Sequence, residues 1–150
     1  MKTTVLSRKK ITNNALWLLV AGVLFSCAEK VSFINSSVVP GAEGNVTIKE
    51  DKNENYLIDV SVVNLAEPGQ LTPPKNTYVV WMESADGIKN LGQINTTDGL
   101  FSKTMKASLE TTMPFRPNRI FITAEDEATP GYPGMQVVME TEPFQIGKRD

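Results

Sequence analysis

The stretch Tyr56-Leu57-Ile58-Asp59-Val60-Ser61-Val62-Val63 places Ile58, Val60 and Val62 two residues apart, with Asp59 and Ser61 between them. That period of two is the spacing of a strand with one buried face. The same signature predicts strands over Asn45–Glu50, with Val46 and Ile48 on one face, and over Lys89–Asn95, Leu100–Ser108, Arg119–Glu125 and Met135–Thr141. Thr77–Glu83 (TYVVWME) is nearly all apolar, as a central strand covered on both faces would be. The segments between are turn-forming. Asp51–Asn55 is polar, Asp86-Gly87 marks a hairpin, and Gly92 suggests a bulge. Asn64–Asn76 contains Pro68, Gly69, Pro73 and Pro74 and cannot be a strand throughout, while Ala128–Gly134 (ATPGYPG) is a loop. Seven or eight short strands, with turn signals every 8–12 residues or so, predict an immunoglobulin-like antiparallel β-sandwich. Trp81 is expected as a core anchor between the sheets, its indole N–H requiring an acceptor.

The N-terminus has a different grammar. Lys2, Arg8, Lys9 and Lys10 precede an apolar run from Ala15 to Phe25, and no acid appears before Glu29. A basic start, a short apolar core and a small residue at its end form a secretory signal. The run of about 11 residues is well short of the roughly 20 that a bilayer-spanning helix requires. It ends in Leu24-Phe25-Ser26-Cys27, which holds the chain's one cysteine and resembles the lipobox of bacterial lipoproteins. The resemblance implies that the Cys27 thiol receives a diacylglycerol, that the signal is cut before Cys27, and that the lipid bilayer is a partner. Ala28 rather than Asp follows the cysteine, which by the same resemblance points to the outer membrane rather than the inner. The expected organisation is thus a lipoprotein signal peptide over 1–26, a lipid-anchored linker over 27–43, whose Ala28–Val39 part has room for a first strand at its end, and a β-sandwich domain over 44–147.

Removal of the first 26 residues leaves 11 bases against 17 acids, a net charge of −6. A nucleic-acid partner needs a basic face, so none is expected. The chain has no histidine, which excludes Ser-His-Asp and Cys-His catalysis. With the one cysteine acylated, His/Cys zinc sites are excluded as well. No cofactor and no metal are expected. With no second cysteine, there is no intrachain disulfide.

Three stretches carry side chains capable of chemistry. Asp51-x-Asn53-x-Asn55 has the oxygen spacing that begins a calcium loop. Tyr56 and Val62 stand where an EF-hand needs Gly and an acid, so a hairpin turn is the expected role. Glu125-Asp126-Glu127 puts three carboxylates in a row, but adjacent strand residues point to opposite faces, so a solvated loop is expected rather than a site. Tyr132, between Pro130-Gly131 and Pro133-Gly134, is the candidate partner-binding residue, a ring carried on a stiff loop; the alternative is a ring folded back on the sandwich edge.

Tyr78-Val79-Val80-Trp81-Met82-Glu83, followed by Gly87 and Leu91-Gly92-Gln93-Ile94, resembles the extracytoplasmic C-terminal domain of anti-sigma-K (RskA-type) factors. The likeness extends over roughly Gly44–Thr141, through Ile120–Glu125 and the Gly/Pro-rich loop Thr129–Gly134. Those factors also have a sigma-binding region and a membrane helix, for which this chain shows no counterpart. The resemblance therefore implies a shared outer module that senses or binds protein, without sigma inhibition and without transferable site residues. The expected function is a non-enzymatic, lipid-anchored envelope protein whose loops bind another envelope protein or ligand. The alternatives are a carbohydrate-binding or adhesion module and, last, a small carboxylate-based hydrolase.

Overall fold

A computed structural model describes residues 28–97 and 106–147 of the chain. Cys27, the leader before it and Leu100–Met105 of the expected strand Leu100–Ser108 lie outside the described residues. Among the described residues nine strands follow one another: β1 (Glu29–Ser32), β2 (Glu43–Glu50), β3 (Tyr56–Val63), β4 (Thr77–Ser84), β5 (Gly87–Gln93), β6 (Asn95–Thr97), β7 (Lys106–Met113), β8 (Pro117–Glu125) and β9 (Val137–Glu140). The one helical element among the described residues is a single 3₁₀ turn, Pro68–Gln70. One sheet has the order β1-β2-β3-β7-β6 and the other β5-β4-β8-β9, every pairing antiparallel. The links from β3 to β4 and from β7 to β8 cross between sheets. This is the Greek-key arrangement of an immunoglobulin-like sandwich, with β2-β3-β7-β6 and β5-β4-β8-β9 as its two layers.

The core follows the alternation in the sequence. Val46 and Ile48 of β2 and Ile58, Val60 and Val62 of β3 point inward to meet Tyr78, Val80 and Met82 of β4 and Ile120 and Ile122 of β8. All are essentially inaccessible to water. Each such aliphatic side chain contributes about 1.5–3 kcal/mol by leaving water. Tyr78 keeps its polar end satisfied by donating to the Ala66 carbonyl at 2.8 Å. Burial, reinforced by the charge of Glu67, pushes its phenol up to about 12.

Within the expected linker over 27–43 a strand stands at the start, from Glu29, rather than at the end of Ala28–Val39. β1 pairs with β2 from Glu29↔Ile48 to Ser32↔Asn45. The chain then crosses to the other sheet. Phe33 bridges Thr141, the Ile34 N–H donates to the Glu140 carbonyl at 2.8 Å, and the Ser36 hydroxyl donates to the Val138 carbonyl at 2.5 Å. The free edge of β9 is thereby capped, which removes a template for unwanted strand pairing. A four-residue edge strand with three exposed residues carries too little alternation to be read from sequence.

Gly44 makes this corner possible. A Cβ there would sit 2.8 Å from the Ser61 carbonyl oxygen and 3.0 Å from the Phe33 ring. Backbone cannot yield as a side-chain tip can, so Gly44→Ala is expected to cost about 1–3 kcal/mol as an overpacking substitution, measured by denaturant unfolding. A neutral result would mean that the crossing at Phe33 is not closely packed.

Candidate functional site

Three strand side chains that face away from the inter-sheet core form a second apolar cluster. Val79, Trp81 and Phe121 lie on the outer face of the β5-β4-β8-β9 sheet, and Trp81 is 1 % exposed. The expectation that Trp81 sits between the sheets is thus corrected: Tyr78, Val80 and Met82 take that face, and strict alternation sends Trp81 to the other. Its ring stacks on Phe121, the cross-strand neighbour, with centroids 6.4 Å apart and planes 14° from parallel. The indole N–H does find an acceptor, the Thr123 hydroxyl at 2.8 Å.

The cover over this face is the β8–β9 loop. Asn90 of β5 donates to the Pro130 carbonyl at 3.5 Å, although β5 lies two strands from β8. Asn90 is also the register partner of Trp81, so the loop spans β4 at that level. Its return is fixed by Glu125, whose Oε1 accepts from the Thr123 hydroxyl at 2.5 Å and from the Gly134 N–H at 2.7 Å. A chain of hydrogen bonds therefore runs Trp81–Thr123–Glu125–Gly134.

The acidic triplet does not converge, as expected, but Glu125 is buried rather than solvated. Asp126 instead takes the Lys75 ammonium at 2.8 Å. Below the aromatic pair, Arg119 bridges Glu83 and Glu140, with its guanidinium carbon 5.4 Å from the Phe121 ring centroid. Asp51 spends its carboxylate on the turn after β2: Oδ1 accepts the Asn53 and Asn55 N–H groups at 2.7 and 2.9 Å, and Oδ2 accepts the Asn55 amide at 3.0 Å.

Glu125→Ala would leave the Gly134 N–H without its acceptor and the Thr123 hydroxyl without its own. A loss of about 1–3 kcal/mol is expected, with faster proteolytic nicking inside 126–136. Glu125→Gln retains an oxygen that accepts both bonds and should cost less. Equal effects from the two variants would count against the hydrogen-bonded pin.

The pinned loop forms one wall of an open groove of about 840 Å³. Three connections build it. Val38, Val39 and Pro40 come from β1–β2, Leu71, Pro73 and Lys75 from β3–β4, and Met135, Gln136 and Val137 from the chain entering β9. The Gln136 amide donates to the Pro73 carbonyl at 3.4 Å and ties two walls together, while its Oε1 is buried without a protein partner. The volume is that of a small-molecule or peptide-segment site, and the lining is mainly apolar. Met135 is fully exposed, and Val38 and Val137 are more than one-third exposed.

Tyr132 does not line the groove. It projects into solvent from the same loop, 87 % exposed, three residues before Met135, and does not fold back on the sandwich edge. Among the described residues it is the one strongly exposed aromatic ring. Sequence reading found the loop through Tyr132 but missed Met135, Val137 and Val38. The available signal was an apolar residue two positions from each of three prolines: Val38 before Pro40, Leu71 before Pro73 and Met135 after Pro133.

The positions behind the anti-sigma likeness are structural in this fold. Tyr78, Trp81 and Leu91 are buried, and Gly87 and Gly92 hold positive φ of 93° and 125° at a turn and a bulge. Among the described residues no group of three or more Asp, Glu, His or Cys side chains is placed to hold a metal ion, and no helix is long and apolar enough to cross a membrane. No protein-family model, curated protein or solved structure matches the chain.

Proposed function

We propose that this chain is a non-enzymatic, lipid-anchored protein of a bacterial cell envelope, in which the sandwich is a binding module for a segment of another envelope protein. The observation that carries the reading is the groove: three loops at one end of the sandwich, an apolar floor, and Met135, Val137 and Val38 left exposed around it. Methionine and aromatic side chains are favoured at protein-binding surfaces because they give large, adaptable contact area. Tyr132 would add a ring at the rim. The leader and the lipobox-like Leu24–Cys27 support the anchor, and Ala28 supports an outer-membrane location. The likeness to anti-sigma-K outer domains supports sensing or protein binding as the class of activity. It does not extend to sigma inhibition.

The test is photocrosslinking in intact cells from a reactive group placed at Met135, with Asn53 at the opposite end as control. A protein adduct that forms from Met135 and not from Asn53, identified by mass spectrometry, is the expected result. No adduct, or the same adducts from both positions, would overturn the assignment. Capture of glycan without protein would favour the carbohydrate-binding alternative.

A further inference from the structure

The topology fixes which end of the sandwich the chain enters. β1 begins at Glu29, paired with Ile48, close to where β2 turns into β3. The same end carries the Asp51–Asn55 turn, the Ala85-Asp86 hairpin of β4 and β5, and the link from Met113 to Pro117. A hydrogen bond from Arg116 Nε to the Tyr56 hydroxyl, at 3.1 Å, ties that link to β3. The groove lies at the other end, where β3 leaves at Val63, β4 starts at Thr77 and β8 finishes at Glu125. Nine residues of β8 separate the ends, on the order of 25 Å at strand rise.

Only Ala28 stands between Cys27 and the first residue of β1. Covalent geometry limits the Cα separation of Cys27 and Glu29 to about 7 Å. An acylated Cys27 must lie at the bilayer surface, because its acyl chains insert there. A spacer of one residue gives the folded domain no reach of its own.

We infer, on the basis of the lipid-anchor reading above, that the domain stands end-on against the lipid headgroups, with the Asp51–Asn55 turn facing the bilayer and the groove directed away from it. The lipid surface is then the partner of the turn end. The groove serves molecules that approach from the side opposite the anchoring membrane. The exposed apolar residues Met135 and Val137 are kept clear of the acyl region, where they would otherwise partition.

The test uses the mature lipidated chain, from Cys27 onward, in phosphatidylcholine vesicles carrying a spin label on the headgroup. The native thiol is blocked by its lipid, so Asn53→Cys or Tyr132→Cys supplies one free thiol for a fluorophore. Both positions are exposed. Headgroup quenching several-fold stronger at position 53 than at 132 is the expected result. Equal quenching, as for a domain lying on its side, or the reverse order would overturn the orientation alone. The mass of the same preparation reports the acyl chains directly. A chain without them would overturn the anchor reading, and the orientation with it.

Discussion

Trp81→Ala is expected to lower the unfolding free energy by about 3–5 kcal/mol, the range for removing a large buried aromatic ring. Three losses combine. The ring leaves a cavity between β4 and the loop that covers it, because the Phe121 ring 6.4 Å away cannot fill it without leaving its own stack. The Thr123 hydroxyl loses the donor that oriented it toward Glu125. The loop then loses the apolar surface beneath it. Unfolding in denaturant measures the total, and limited proteolysis separates the loop's share. Cleavage inside 126–136 should accelerate more than the global loss of stability predicts, since the loop is held through Glu125 and Asn90. Trp81→Phe keeps most of the apolar area and gives up the indole hydrogen bond, so it should fall well short of the alanine variant. A loss below about 1 kcal/mol for Trp81→Ala would mean that the outer-face cluster contributes little and that the loop is held by its polar contacts alone.

That same tryptophan shows where the sequence was legible and where it was not. Burial of the Thr77–Glu83 run on both faces was readable, because only a covered strand tolerates Tyr78, Val79, Val80, Trp81 and Met82 in succession. Which face took which side chain was not. Alternation splits the run into two sets and does not say which set meets the opposite sheet. The cover for the second set is a loop whose composition, ATPGYPG, reads as turn and nothing more. Glu125 was misread for a related reason: a carboxylate beside two others looks solvated until its partners are known, and Gly134 is nine residues away. β1 was hidden by its length. The groove was hidden because its walls come from segments far apart in sequence, Val38 to Pro40, Leu71 to Lys75 and Met135 to Val137. The β1–β2 and β3–β4 crossings and the β8–β9 loop together bring them to one end. The inward rows of β2 and β3, the Gly92 bulge and the two-sheet architecture were available from periodicity and turn residues, whereas the expected seven or eight strands fell short of nine because β1 and the three-residue β6 are too short to alternate.

Cys27→Ser is expected to abolish incorporation of labelled palmitate and to leave the leader uncleaved. The lipobox resemblance implies an order of events in which thioether formation precedes cleavage, and a serine hydroxyl does not replace the thiolate as nucleophile. The consequence for attachment is large. Each buried methylene contributes about 0.8 kcal/mol of membrane affinity, and stable anchoring needs two chains. Loss of the acceptor removes every chain at once. The fold gives the experiment its control. The described sheet pairing starts at Glu29, and the sandwich is expected to unfold at the same denaturant midpoint with or without the substitution. A change confined to lipid labelling and processing, with stability intact, assigns an anchoring role to Cys27. Palmitate still incorporated by the serine variant would sink the lipobox reading, and Cys27 would then be an ordinary residue of a cleaved or uncleaved leader. Stability lost together with labelling would instead make Cys27 part of the packed edge beside β1.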